Sequence, residues 1–154
     1  MEDFKNILYP ISLTDISPKL ASYVATMANK FDAQVHLLHV LRRFDWFVDT
    51  YVTDPPPSKP DFKRIASDFE EQILQQAQQK LESFKEQHLK DVDIAKASVV
   101  SGTHYKQILD YVKSEAIDLI IMGSGTPLQK VMFGSVASKV SRMANVPVML
   151  IKGS

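Results

Sequence analysis

Short apolar runs alternate along this chain with longer stretches in which apolar residues recur every three or four positions. The short runs are typical of buried strands, and the longer spacing is typical of helices with one apolar face. Strands that alternate with helices need crossover connections, which give a parallel sheet with helices on both faces. We predict strands over residues 6–11, 34–41, 92–100, 118–122 and 147–152. We predict a helix that starts at Pro18 and has apolar positions up to Phe31, and further helices from about Asp61, over 105–114 and over 136–144.

The predicted fold class is α/β, a doubly wound five-stranded parallel sheet in the order 3-2-1-4-5. Right-handed crossovers leave few other topologies for this order of elements. The first and fourth strands then lie side by side, and ligands of such sheets bind beyond the carboxyl ends of the strands at that point. The sequence predicts a site formed by residues 10–15 and 123–135.

A chain of 154 residues has the usual size of one domain. We predict a single domain over 1–154 with a proline-rich insertion at about 42–60. Four aromatic residues lie in or near that insertion, Phe44, Trp46, Phe47 and Tyr51. They are interpreted as a lid or partner-binding patch, or as a small satellite core folded over the end of the sheet. We slightly favour the satellite core, because a tryptophan rarely stays fully exposed.

Composition excludes several classes of function. Lys plus Arg and Asp plus Glu each total 18, so no basic excess draws the chain to nucleic acid or to anionic lipid. The chain has no cysteine, which excludes disulfides, thiol catalysis and cysteine-ligated metals. No apolar run is long enough to cross a membrane. We therefore expect a cytoplasmic protein that binds neither nucleic acid nor membrane.

Two glycine motifs give the clearest chemical signal, Gly123-Ser124-Gly125 after a strand and Gly134-Ser135 at a helix start. Glycines let backbone N–H groups approach an anion, and a helix N-terminus adds partial positive charge. The alternative is that these glycines only shape a turn and a helix start, and from these residues alone the two interpretations are about equal. Neither standard phosphate-binding fingerprint is present.

The residues that usually carry catalysis do not form a constellation here. His36 and His39 are three apart on a strand and face opposite sides, so they do not chelate one metal together. His88 and His104 are interpreted as surface or capping residues, and Asp15 as a cap of the first helix. We predict no catalytic residue and no metal site.

Several stretches together resemble the universal stress protein family, in its single-domain form. Near the amino end the matching pieces are residues 6–11, Asn-Ile-Leu-Tyr-Pro-Ile, and residues 35–40, Val-His-Leu-Leu-His-Val. Gly102 follows the third strand. The most specific pieces are Asp118-Leu-Ile-Ile-Met-Gly-Ser124 and the segment from Gly134-Ser-Val to Asn145-Val-Pro-Val-Met-Leu-Ile151.

The resemblance implies a doubly wound domain, a homodimer and a cytoplasmic role in stress responses. It also implies a subgroup that binds ATP through a glycine loop. In that subgroup an aspartate at the end of strand one contacts the nucleoside, and residues at the end of strand two line the adenine pocket. This chain departs from that pattern, since Gly123 and Gly134 are two residues too close and Ser12 replaces the aspartate. The predicted binding residues are Pro10, Ile11, Ser12, Val40, Gly123, Ser124, Gly125, Gly134, Ser135 and Val136.

These observations predict a non-enzymatic stress-response module with weak or absent ATP binding. No cofactor is expected, although ATP, AMP or another small ligand is compatible with the site. The predicted partner is a second copy, bound through the apolar last strand at Val146, Val148 and Leu150. The alternatives are an ATP-binding member with slow nucleotide hydrolysis, and an adaptor that binds a protein through the aromatic insertion.

Overall fold

Strands and helices alternate throughout the part of the chain that the structure, a computed structural model, describes: residues 3–12, 18–41, 59–124 and 134–152. Pro10 ends the first strand because it has no N–H for a ladder, and Pro18 begins the first helix, where a missing N–H costs nothing. The elements are β1 (Asn6–Pro10), α1 (Pro18–Phe31), β2 (Gln34–Leu41), α2 (Lys59–His88), β3 (Ile94–Ser101), α3 (His104–Ser114), β4 (Leu119–Gly123), α4 (Ser135–Met143) and β5 (Val148–Ile151).

The strands form one parallel sheet in the order β3-β2-β1-β4-β5, which confirms the predicted fold class. β1 pairs with β2 from Asn6 opposite Gln34 to Pro10 opposite Leu38. The Asp118 carboxylate accepts hydrogen bonds from the N–H groups of Lys5 and Asn6, at 2.9 and 3.1 Å. The starts of β1 and β4 are thereby aligned, so both strands end at the same edge of the sheet.

Each face of the sheet carries its own hydrophobic core. On one face α1 and α2 cover Ile7, Tyr9, Leu37 and Ile121. On the other face α3 and α4 cover a second set, which includes Leu8, Leu38, Val40, Ile120 and Met122. Alternate residues of β1 and β4 therefore enter opposite cores, as expected for strands buried on both sides.

Helix α2 begins at Lys59, two residues before the predicted start near Asp61, and it contains Pro60. Proline is tolerated in a first helical turn because its N–H would have no intrahelical partner there. Ala77, Leu81 and Phe84 are buried on the sheet, whereas Phe69, two turns before Ala77, is 45% exposed. The aromatic residues of the predicted insertion lie outside the described residues. No helix in the described ranges is long and apolar enough to span a membrane.

Candidate functional site

A cleft of about 390 Å³ opens where β1, β2 and β4 end and where α3 and α4 begin. It lies at the carboxyl edge of the sheet, beside the point at which the strand order reverses. Eight of the predicted binding residues line it: Pro10, Ile11, Ser12, Val40, Gly123, Gly134, Ser135 and Val136. The sequence alone did not single out the others, which are Tyr9, Leu20, Leu38, His39, His104, Ile108, Met122 and Ala137.

The β1 side of the cleft is held by hydrogen bonds from the neighbouring strand. The Ile11 N–H donates to the Leu38 carbonyl oxygen at 2.9 Å, which extends the ladder one residue beyond Pro10. The Ile11 carbonyl oxygen lies 2.7 Å from Nδ1 of His39, the half-buried residue before Val40. These two contacts fix the backbone at Ile11, so this wall of the cleft is preformed.

The β4 side is closed by backbone bonds at the base of the glycine loop. The Ser124 N–H donates to the Ile151 carbonyl oxygen at 3.0 Å, and the Gly134 N–H donates to the Ser124 carbonyl oxygen at 2.9 Å. Ser124 itself does not line the cleft, and Gly125 lies outside the described residues. Ser124 therefore ties the loop to β5 and to the start of α4.

The first turn of α4 forms the remaining polar wall. Ser135, Val136 and Ala137 line the cleft, and N–H groups in a first helical turn have no intrahelical acceptor. The next N–H, that of Ser138, donates to the Gly134 carbonyl oxygen at 2.9 Å. The N–H groups of the first turn and the helix dipole together favour a negatively charged group at this end of the cleft.

Two histidines that line the cleft, His39 and His104, were not among the predicted binding residues. His39 and His36 lie on opposite sides of the sheet, as their spacing predicts: His39 contacts Ile11 at the cleft, whereas His36 contacts Tyr111 of α3. His104 is the first residue of α3. Their positions at the end of β2 and directly after Gly102 are the sequence signals that could have identified them.

The polar side chains of the described lining are hydroxyls and imidazoles, and the other lining residues are apolar or glycine. Tyr9 is almost completely buried, and burial raises the pKa of its hydroxyl, so the phenol stays neutral. No group of three His, Asp or Glu side chains in the described residues is arranged to hold a metal ion. The cleft is suited to a largely apolar ligand with an anionic group at the α4 end.

Solved structures share this fold. The structure of the MJ0577 protein has a TM-score of 0.79 and 24% identity, and the match covers 99% of both chains. A universal stress protein in complex with cAMP has a TM-score of 0.57 and 16% identity, with 99% of this chain and 100% of that chain covered. One from Archaeoglobus fulgidus in complex with dAMP has a TM-score of 0.54 and 17% identity, with 98% and 100% covered.

The sequence matches curated proteins of the same kind along nearly its whole length. It is 26% identical over 157 residues to Universal stress protein MJ0577 of Methanocaldococcus jannaschii, with 97% of this chain and 95% of that protein covered. It is 26% identical over 155 residues to Universal stress protein G of Escherichia coli O157:H7, with 97% and 99% covered. A family model described as the Universal stress protein family matches residues 3–152. The chain therefore belongs to the universal stress protein family.

Proposed function

We propose that this chain is a non-enzymatic, dimeric stress-response module whose cleft binds an adenine nucleoside monophosphate in preference to ATP. The observation that carries the proposal is the cleft itself, with apolar strand ends on one side and the first turn of α4 on the other. Solved relatives of the same fold hold cAMP and dAMP, which each carry one phosphate. A monophosphate needs only one anion subsite, and the α4 terminus supplies one.

The closed loop base argues against tight ATP binding. The N–H groups of Ser124 and Gly134 are already bonded to protein carbonyl oxygens, so they are not free to bind a second or third phosphate. The loop between the two outer glycines is also two residues shorter than the ATP-binding pattern implied by the family resemblance. Each lost charge-assisted hydrogen bond weakens binding by about 1.5–3 kcal/mol. We therefore expect the affinity for ATP to be several decades below that of a member with the full loop.

The chemistry of the described lining supports a binding role over hydrolysis. Nucleotide hydrolysis needs a base to activate water, acidic ligands for a metal ion and cationic side chains on the phosphates. The described lining has imidazoles, which can act as a base, but it supplies no acidic ligand for a metal ion and no Lys or Arg for the phosphates. The remaining candidates in the sequence are Asp15 and Lys130, which lie outside the described residues.

The second part of the proposal is a homodimer through the last strand, the segment at Val146, Val148 and Leu150. β5 is an edge of the sheet, and its four residues are all half-buried. Carbonyl oxygens of Pro147 and Ile151 accept hydrogen bonds from the β4 side, so Val148 and Leu150 direct their backbone groups outward. At the opposite edge, Gln78 Nε2 donates to the Ala97 carbonyl oxygen of β3 at 3.2 Å. This side-chain contact covers part of the β3 edge, which favours β5 as the edge that pairs.

Titration calorimetry with AMP and ATP tests the ligand assignment, using protein freed of any copurified nucleotide. We expect measurable binding of AMP and an affinity for ATP that is at least tenfold weaker than that for AMP. ATP affinity that is micromolar or tighter would contradict the proposal.

Incubation with ATP and magnesium tests the non-enzymatic role, and turnover that is lost in Asp15→Ala would favour the hydrolase instead.

A further inference from the structure

Strand β5 alone is too short to hold two copies of the chain together. It has four residues, Val148–Ile151, whereas a specific interface usually takes about 800 Å² and about 20 residues from each side. Backbone pairing along β5 therefore supplies only a small part of a stable contact. The rest of the contact area must lie beside β5, on one face of the sheet or on the other.

On the face that α3 and α4 cover, the helix beside β5 offers a mainly polar surface. The exposed positions of α4 are Ser135, Lys139, Ser141, Arg142 and Met143. The apolar one, Met143, lies one turn after Lys139, whose ammonium lies 4.7 Å from the centre of the Tyr105 ring of α3. This side of α4 thus faces α3 and not the β5 edge, so α4 gives a second copy little apolar area.

On the opposite face, helix α1 has an apolar flank that faces β5. Leu20, Tyr23 and Met27 are spaced by three and four residues and lie on one side of the helix. A Cβ added to Gly123 of β4 would lie 3.7 Å from Cδ2 of Leu20, and Gly123 is paired with Ile151 of β5. Helix α2 lies on the other side of α1, over β2 and β3, so the flank with Leu20 faces outward to β5.

Five apolar side chains form this surface, which we call the α1–β5 surface: Leu20, Tyr23, Met27, Met149 and Ile151. Four of them are half-buried and pack against the core, whereas Tyr23 is 44% exposed. An exposed tyrosine beside half-buried apolar residues is typical of an interaction surface. Its ring buries a large apolar area in a complex, while its hydroxyl stays hydrated at the rim.

The symmetry of paired β5 strands indicates what this surface contacts. A two-fold axis that pairs two edge strands antiparallel in one continuous sheet runs perpendicular to that sheet. Each face of one copy then continues into the same face of the other copy. The two α1 helices lie on that shared face, with their apolar flanks toward each other across the two β5 strands.

We propose that a second copy of the chain docks on the α1–β5 surface, with Tyr23 as the anchor of the contact. The inference rests on the proposed dimer, and it adds the contact area that four residues of β5 lack. Because such an interface is isologous, each copy contributes the same five side chains. Removal of the Tyr23 ring therefore acts twice in every dimer.

Sedimentation equilibrium over a dilution series measures the dimer dissociation constant of the wild type, Tyr23→Ala and Tyr23→Phe. We expect Tyr23→Ala to raise this constant by at least about thirtyfold, the effect typical of an anchor residue. Tyr23→Phe keeps the ring and should stay within about threefold of the wild type. Phe69→Ala is the matched control, because it removes a ring of nearly equal exposure, 45%, from α2, which packs on β2 and β3. It should leave the constant unchanged.

Isotope-filtered NMR on a mixture of labelled and unlabelled wild-type chains gives a second measurement without any substitution. It detects protons of one copy that lie close to protons of the other. The Tyr23 ring should show nuclear Overhauser effects between copies, and the Phe69 ring should show none.

The outcomes separate the two proposals. If the wild type is monomeric throughout the dilution series, the dimer and the role of the α1–β5 surface are overturned together. If the wild type is dimeric and Leu150→Lys is monomeric, but Tyr23→Ala keeps the wild-type constant, only the role of this surface is overturned, and a different protein partner becomes its candidate occupant. The same conclusion follows if Phe69→Ala weakens the dimer as much as Tyr23→Ala, or if the Tyr23 ring shows no Overhauser effect to the other copy.

Discussion

The imidazole Nδ1 of His36 lies 2.8 Å from the hydroxyl oxygen of Tyr111, in the core that α3 and α4 cover. Nε2 of the same ring lies 3.3 Å from the side-chain oxygen of Asn6. Because the amide oxygen only accepts, Nε2 donates to Asn6, and in the neutral ring Nδ1 then accepts from the tyrosine hydroxyl. Both nitrogens of the neutral ring are thus satisfied in a side chain that is only 4% exposed.

Burial is the main cause that lowers the pKa of His36 below its usual 6.5. The nearby Glu115 carboxylate raises this pKa, and Lys96 lowers it. Lys96 and Glu115 form an ion pair of 2.6 Å with each other, so their effects on His36 partly cancel. Burial also raises the pKa of Tyr111 to about 12, so its hydroxyl remains a donor at neutral pH.

We expect the free energy of unfolding to fall when the pH drops below about 6.5. The unfolded chain then binds a proton that native His36, with its lowered pKa, resists, so acid favours unfolding. The loss is at most about 1.4 kcal/mol per pH unit and ends once the pH is below the native pKa. Urea unfolding across this range measures it. His36→Asn should reduce the slope, and His88→Asn should not. Equal slopes in both variants would contradict the role of His36.

Gly102 is expected to resist substitution. Its φ of +148° is unfavourable for residues with a side chain, and an added Cβ would lie 2.7 Å from Nε2 of Gln107. Its N–H also donates to the Leu41 carbonyl oxygen at 2.8 Å, which fixes this conformation. Gly102→Ala should lower the free energy of unfolding by about 1–3 kcal/mol. Gly123→Ala is the control for stability, because its nearest neighbour would be Leu20 at an ordinary 3.7 Å. Equal losses would show that the φ angle is not the cause.

Ile120 tests the assignment of β4 as a central strand. Its side chain is fully buried between the sheet and the helices α3 and α4. Ile120→Asp would bury an unpaired carboxylate, so we expect a loss of more than about 3 kcal/mol in urea unfolding. Ala95→Asp, at an exposed position of the edge strand β3, should cost far less. Wild-type thermal stability in Ile120→Asp would refute the central position of β4.

Leu150→Lys tests the proposed dimer. Two copies that pair along β5 would bring the new charges close together and remove them from water, so this variant should be monomeric. Light scattering should give about twice the 17.4 kDa chain mass for the wild type and the single chain mass for the variant. Asn145→Lys, an exposed position before the strand, should remain dimeric. A wild type that stays monomeric at tens of micromolar would rule out the dimer.

The alternation of strands and helices could be predicted from the sequence because the residues that mark it are local. Pro10 and Pro18 mark a strand end and a helix start, and the alternation of apolar patterns requires parallel crossovers. Element ends were less accurate. β3 begins at Ile94, two residues after the predicted Val92. Val92 still packs against the core beside the strand, so its burial pattern alone does not separate it from the strand.

The candidate site was predicted less completely than the fold. The glycines could be placed at one edge of the sheet from topology, and Val40 followed from the family resemblance. His39 was missed although it lies at the end of β2, and its contact with the Ile11 carbonyl oxygen is not visible in the residue pattern. The hydrogen bond from the Gly134 N–H to the Ser124 carbonyl oxygen could not be predicted either, since a residue pattern does not show which donors are already bonded within the fold.

The bonds at the base of the glycine loop hold the two ends of the intervening segment together. Ser124 is bonded to Ile151 and to Gly134, so the sheet and α4 are joined where the segment 125–133 begins and ends. Lengthening a loop whose ends are already held together costs little, about 0.6 kcal/mol even for a doubling. Insertions and exchanges in this segment can therefore accumulate without loss of the native structure. Evolution, or an engineer, can change which phosphates this scaffold accepts by grafting a different loop.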